Sequence, residues 1–325
     1  MEERGYAALV CPIKTSYQLV AMIEISRRKL LLGAAATGLP GCVFGGVGPR
    51  FGGEAQFPAQ AMSQLKQKTA VFVLHKYDVP YAEQFRGALT HAWTFSPIEV
   101  VAGADVSRYA DESRYAYFTV DVLTSIVSYS STWTEVYHHA ALVYVNSLRE
   151  DADVTGYCRL PLGDVWLPKG VTLDRKTFTD DDERYYNWTP AMLSLYLRSI
   201  QLDLESGRRR WYYKSPPKSR ELFRLAESTL YVPDHVLRRF EDGREVASFN
   251  PLELFGGYPY KYQILPPEPL LGVITDQPDA LVFDYVKSST DKFISVYSFK
   301  SGLLYRHYSP MSKNIESVDV MRLLS

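Results

Sequence analysis

Cysteine and histidine are scarce in this chain, and neither sign of charge is in excess. Three cysteines and six histidines among 325 residues are poor material for an iron–sulfur cluster or a multi-metal centre, so no cofactor is expected. The histidines are also scattered. His138 and His139 are adjacent, but neighbouring side chains point to opposite faces of a strand, or lie about 100° apart on a helix, and do not readily share one ion. No Gly-x-Ser-x-Gly elbow, His-Glu-x-x-His helix, glycine-rich nucleotide loop or phosphate-binding loop is present. This counts against the enzymes built on those motifs and leaves catalytic residues unassigned. A formal net charge of −1 supplies no basic face for phosphate contacts, so no nucleic-acid partner is expected. The apolar run from Leu30 to Pro40 is eleven residues long, against the roughly 20 that a membrane-spanning helix needs.

That short run has a particular setting. Ser26-Arg27-Arg28-Lys29 precedes it, and the segment closes with Leu39-Pro40-Gly41-Cys42. Paired arginines ahead of a weakly apolar stretch resemble a bacterial twin-arginine export signal, and Leu39 to Cys42 resembles a lipoprotein cleavage box whose cysteine receives the lipid. The resemblance covers residues 26–42 alone. It implies export addressed by Arg27 and Arg28, cleavage before Cys42, and a membrane anchor at that cysteine. Pro40 departs from the small or aliphatic residue usual there, and cleavage without lipid near Ala34-Ala35-Ala36 is the alternative. Met22 stands where the leader of such a signal begins, so residues 1–21 read as preceding the start. Val43, where an inner-membrane retention signal places Asp, favours sorting to the outer membrane, and the signal as a whole implies a protein anchored in the cell envelope, periplasmic or outer-membrane facing. Cys11 would leave with the leader, so only Cys158 would remain unmodified, and it reads as a small buried hydrophobe. Loss of residues 1–41 removes five of the 36 basic and three of the 37 acidic side chains, leaving 31 against 34.

The 284 residues after position 41 suffice for one large or two small domains. Residues 42–67 are rich in Gly, Ala, Gln and Pro without apolar period and read as a flexible tether. The continuous apolar run Ala70 to Leu74 then predicts a strand covered on both faces. Tyr81, Phe85, Leu89 and Trp93, at four-residue steps, predict a helix across it. Strands at Ile98–Val101, Tyr115–Val120 and Ala140–Val145, with a helical turn at Ser107–Glu112, fill a first α/β unit over 68–178. In the helical connector 179–227, Thr189 as N-cap, Pro190 at the first position and Gly207 at the end delimit a helix. Its stripe Leu193, Tyr196, Leu197, Ile200 and Leu204 predicts one buried face. A second helix follows Pro216-Pro217 through Leu222 and Leu225. A second unit over 228–325 repeats the order: strand Leu230–Val232, a helical piece to Leu254, strand Tyr260–Leu265, helix Leu270–Thr275, strand Ala280–Val286, then a hairpin turned by Lys300-Ser301-Gly302 and a final helix. Trp93 to Val101 aligns loosely with Tyr258 to Leu265, an aromatic corner into a strand in both. The expected fold class is α/β or α+β, two related units that read as a duplication.

Candidate sites are few. Asp180-Asp181-Asp182-Glu183 reads as a helix-start cap rather than a calcium loop, and Arg208 to Lys214 as charge complementing a helix C-terminus. The best ligand candidate is the polar stretch Lys287-Ser288-Ser289-Thr290-Asp291-Lys292, leaving the carboxyl end of an apolar strand, where open α/β sheets gather ligands; a simple hairpin or crossover turn is the alternative and the commoner use of such a stretch. Tyr260 and Tyr262 would wall it, and the lysines and hydroxyls would meet an anionic or sugar-like group. The 24 tyrosines suit a recognition surface, although most of them read as half-buried strand residues. The expected function is therefore an exported, lipid-anchored envelope protein acting by binding a solute, glycan or protein partner, or in envelope assembly. The alternative is a hydrolase or transferase on envelope polymers using carboxylates such as Asp284 and Asp291, since twin-arginine export carries proteins already folded.

Overall fold

The computed structural model describes Ile23–Glu24 and residues 59–128, 134–145, 156–164, 185–207, 218–241, 244–288, 291–309 and 314–324. The export signal with Arg27, Arg28 and Cys42, the acidic run 180–183 and the basic-aromatic run 208–214 lie outside them. Strand β1 (Ile23–Glu24) pairs antiparallel with Ser125 and Ile126 further along the chain. Helix α1 (Ala59–Gln67) occupies the end of the segment read as a tether. Its Ala, Met, Gln and Leu residues are good helix formers, and Leu65 docks it into the core.

The first unit then runs β2 (Thr69–Leu74), α2 (Ala82–Ala92), β3 (Ile98–Ala102), β4 (Tyr115–Ser128), β5 (Thr134–Val145) and β6 (Gly156–Asp164). They form a sheet in the order β3-β2-β4-β5-β6, with β1 attached to β4. β2 is central and apolar on both faces, as its sequence predicts. Ala70, Phe72 and Leu74 enter the main core, and Val71 and Val73 enter a second cluster on the reverse face. The helix predicted over Pro80–Trp93 starts at Ala82, because residues Lys76–Tyr81 form a 3₁₀ helix containing Pro80, and Tyr81 is exposed. Phe85 and Leu89 are buried as expected.

Helix α3 (Pro190–Glu205) has the predicted caps: Thr189 Oγ1 accepts from the Met192 amide, and Pro190 opens the first turn. Gly207 takes φ +62°, the left-handed conformation glycine supplies at helix ends. A single buried face was expected, but nearly the whole circumference is buried, from Ala191 to Leu197 and again at Ser199, Ile200, Gln201, Asp203 and Leu204. The reason is that α3 is a shared inner layer. It packs against α2 on one side and against elements of the second unit on the other.

That unit runs β7 (Leu230–Pro233), β8 (Arg238–Glu241), β9 (Arg244–Ser248), α4 (Pro251–Phe255), β10 (Tyr262–Leu265), α5 (Pro267–Asp276), β11 (Leu281–Ser288), β12 (Asp291–Ser298), β13 (Gly302–Ser309) and α6 (Ser317–Met321). β8 and β9 make a separate ribbon, and the other strands form a sheet in the order β10-β7-β11-β12-β13. Both sheets therefore have the order second, first, third, fourth, fifth strand. In each, the first three strands are parallel and the last two return antiparallel. The local match at the edge strands is visible as a repeated hydrogen bond: Ala70 N–H donates to Pro97 C=O at 2.7 Å and Leu230 N–H to Lys261 C=O at 2.9 Å.

The units stack in the same sense rather than face to face. Helices α2 and α3 cover one face of the first sheet, and α4 and α6 cover the corresponding face of the second. The second sheet's opposite face, with α5, lies on α3, so that Leu270, Ile274, Val282, Tyr297 and Leu303 join the core of the first unit. Contact across this seam is close at Gly302, where φ is +71° and an added Cβ would lie 3.1 Å from Ser199 Oγ and 3.2 Å from Leu202 Cδ1. Gly302→Ala is expected to cost about 1–3 kcal/mol, since alanine meets both a left-handed backbone and a neighbouring helix. An unchanged urea midpoint would show that the turn can yield.

Candidate functional site

The ligand site predicted from the sequence is not assembled. Tyr262 pairs with Leu230 and Leu230 with Leu281, so Tyr262 is level with the start of β11. Lys287 is six residues further along, roughly 20 Å at the rise of a strand. Tyr262 stacks on Phe255 with ring centroids 4.8 Å apart, and Tyr260 lies edge-on to Tyr258. The polar stretch is no ligand loop either, because antiparallel pairing continues through Lys287 with Lys292 and Ser288 with Asp291. It is the turn of a hairpin whose tip, Ser289 and Thr290, falls outside the described residues.

Lys292 and Asp291 are buried. Lys292 Nζ reaches Asp319 Oδ2 of α6 at 2.6 Å and donates to Asn314 C=O at 3.1 Å. Asp319 Oδ2 also accepts from the Glu316 amide at 2.9 Å, and its Oδ1 is 3.7 Å from Arg322 Nη1. Arg322 touches His307 Nε2. Lys218 Nζ donates to Arg322 C=O at 2.8 Å. These contacts bind α6 to the back of β12 and β13. Burial holds the His307 imidazole below its ordinary pKa, and the Arg322 guanidinium beside it acts in the same direction.

Open α/β sheets collect ligands where the connections leaving neighbouring strands diverge. Here that point lies at the carboxyl end of β7, beside β11. His235, in a 3₁₀ helix Asp234–Leu237 that leaves β7, brings Nε2 to 3.7 Å from Asp284 Oδ1 on β11. Tyr196 of α3 donates its hydroxyl to Asp284 Oδ2 at 2.7 Å and receives Asn187 Nδ2 at 2.8 Å. Nearby, Arg306 Nη2 donates to Tyr297 Oη at 3.2 Å. All six side chains are buried. Burial and the Asp284 charge push the Tyr196 phenol well above its usual range, so it remains a proton donor. The sequence offered Asp284 as a carboxylate near a strand end. Its partners come from segments 49 and 88 residues away, and no local pattern announces them. Asp291, the other carboxylate so offered, accepts from Tyr308 Oη at 3.2 Å.

A different surface feature stands on the outer layer of the second unit. α4 packs against α6, and these helices expose Leu252 at 69% and Val318 at 48%, with Met321 and Leu324 also open. Met321 Sδ would lie 3.6 Å from a Cβ at Gly257, just beyond α4, so the exposed apolar residues belong to two adjoining helices. In the corresponding helical layer of the first unit, α3 is covered by the second sheet and α5, while α2 keeps an exposed outer side.

No family model matches this chain, and comparison with curated proteins and with solved structures returns no match. Among the described residues no three or more His, Cys, Asp or Glu side chains are grouped to hold a metal ion, and no helix is long and apolar enough to cross a membrane.

Proposed function

We propose that this chain is an exported, lipid-anchored protein of the bacterial envelope, that its two units are copies of one module, and that it works by holding a protein partner on the α4–α6 face. The export half of the reading rests on Arg27, Arg28 and Cys42. The binding half is carried by one observation. Equivalent helices have unequal fates: α3 of the first unit is roofed by the second sheet and α5, while its counterpart α6, with α4 beside it, presents Val318, Met321 and Leu252 to solvent. A roof of polypeptide is what this layer accommodates inside the chain, so a polypeptide is the occupant proposed outside it. Exposed apolar surface of this kind on a soluble body marks interaction sites.

The test uses the full chain in bacterial cells with a photo-crosslinking residue placed in turn at 252, 318 and, as a control on α2, at the exposed Glu83. Expected is one discrete protein adduct from 252 and 318 and none from 83, lost when Val318→Glu is combined with the probe at 252. Adducts with lipid alone, or no adduct, would overturn the protein-partner reading, and an adduct of doubled mass would identify the occupant as a second copy. Separately, Cys42→Ala is expected to move the protein from the membrane to the soluble fraction, and the denatured mass of the wild-type protein should carry the acyl chains. A mature chain without acylation and indifferent to the substitution would remove the anchor.

A further inference from the structure

We infer that His307 and Arg322 form an acid-released latch that holds α6 against the second sheet. This concerns the regulation of the α4–α6 face, and its bearing on binding rests on the docking reading above. The geometry is one-sided in charge. His307, half-buried on β13, meets Arg322 directly. The other charged groups acting on it are Lys292 of β12, Lys218 ahead of the 3₁₀ helix Arg220–Ala226, and Asp319 of α6. The strand residue opposite it is Ile294, which carries no charge.

Asp319 is the one carboxylate in the group, and it is already engaged by Lys292 at 2.6 Å. A neutral imidazole can accept a hydrogen bond from the Arg322 guanidinium through Nε2. A protonated imidazole has no acceptor to offer and places two cations in contact. Protonation therefore removes the side-chain contact between the last turn of α6 and β13, so that this turn is held by packing and by the Lys218 bonds to the Arg322 and Leu323 carbonyls, while Lys292 and Asp319 keep the first turn in place. The expected motion is a local opening over Val320 to Leu324, one of the low-energy openings that proteins undergo without unfolding.

The direction with pH follows. The closed form resists a proton on His307, whose pKa lies below the ordinary 6.5, whereas the open form takes it up normally. The latch is thus at full strength above about pH 6.5 and weakens as pH falls below that value. Because Met321 and Leu324 belong to the exposed apolar surface, acid would disorder part of the docking face.

The experiment is amide hydrogen exchange on the full chain at pH 7.5 and 5.5, expressed as protection factors so that the chemistry of exchange itself cancels. Protection over residues 320–324 should fall severalfold at the lower pH, with α5 unchanged as an internal reference. His307→Gln, neutral throughout, should give the same protection over 320–324 at both values, and His307→Phe should do likewise if glutamine perturbs the strand. A pH-independent wild type, or a loss that persists in both variants, would overturn the latch. No partner enters the measurement, so its failure is separate from a failure of the crosslinking test.

Discussion

Lys292→Ala is expected to destabilise the protein by roughly 3–5 kcal/mol, the range seen when one member of a buried ion pair is removed. The substitution leaves Asp319, itself buried, without the ammonium that lies 2.6 Å away, and leaves the Asn314 carbonyl without its donor. Asp319 also orders the start of α6 through the Glu316 amide, so the helix should loosen with the pair. Lys292→Met, which keeps much of the volume but not the charge, should cost nearly as much. Combining Lys292→Met with Asp319→Asn should recover part of the loss, because the stranded charge is then gone. Lys287→Ala, at the neighbouring hairpin position, should cost little. Denaturant unfolding of the four variants decides the matter. Equal small losses for Lys287 and Lys292 would mean that the pair is not formed.

The second large effect should come from the buried cluster at the end of β7. Tyr196→Phe removes the hydroxyl that donates to Asp284 at 2.7 Å, and Asp284→Asn replaces a carboxylate that accepts from Tyr196 and faces His235 at 3.7 Å. Each single change should cost about 1–3 kcal/mol, the desolvation penalty of a buried polar group deprived of its partner. In a double-mutant cycle the two should couple rather than add, since both act on the same bond: phenylalanine removes its donor, and the asparagine amide oxygen is a weaker acceptor than the carboxylate. Additive losses would show that α3 and β11 are held together by packing alone. The cluster joins the helical layer of one unit to the sheet of the other. Its failure is therefore expected to appear as early exposure of that seam, in reduced hydrogen-exchange protection of β11 and α3 together.

Much of the fold could be read from local pattern, and the exceptions have identifiable causes. β2 was legible because both of its faces are apolar, and α3 because its caps are written in Thr189, Pro190 and Gly207. β6 was missed because Pro161 and Gly163 interrupt it; a strand at the end of its sheet's order, pairing across a bulge, tolerates both. The burial of α3 on nearly all sides was not legible, since Ser194, Ser199, Gln201 and Asp203 look like a solvated face. Inside, Gln201 bonds to Thr94 and Ser199 Oγ accepts from the Leu303 amide. The candidate site failed for the same reason. Asp291 and Lys292 resemble a polar loop until Tyr308 and Asp319 are brought to them by tertiary structure. The cluster around Asp284 needed segments far apart in the chain, and hydrophobic periodicity carries no information about such meetings.

The seam between the units also sets a timetable for synthesis. Ser199 waits for Leu303, 104 residues later, before the second side of α3 is covered. At about 5–20 residues per second, the helix emerges roughly 5–20 s ahead of its roof, with Leu195, Ile200 and Leu204 apolar and not yet enclosed. During that interval the nascent chain offers a sticky helical layer to any neighbour, and the risk ends only when β13 leaves the ribosome.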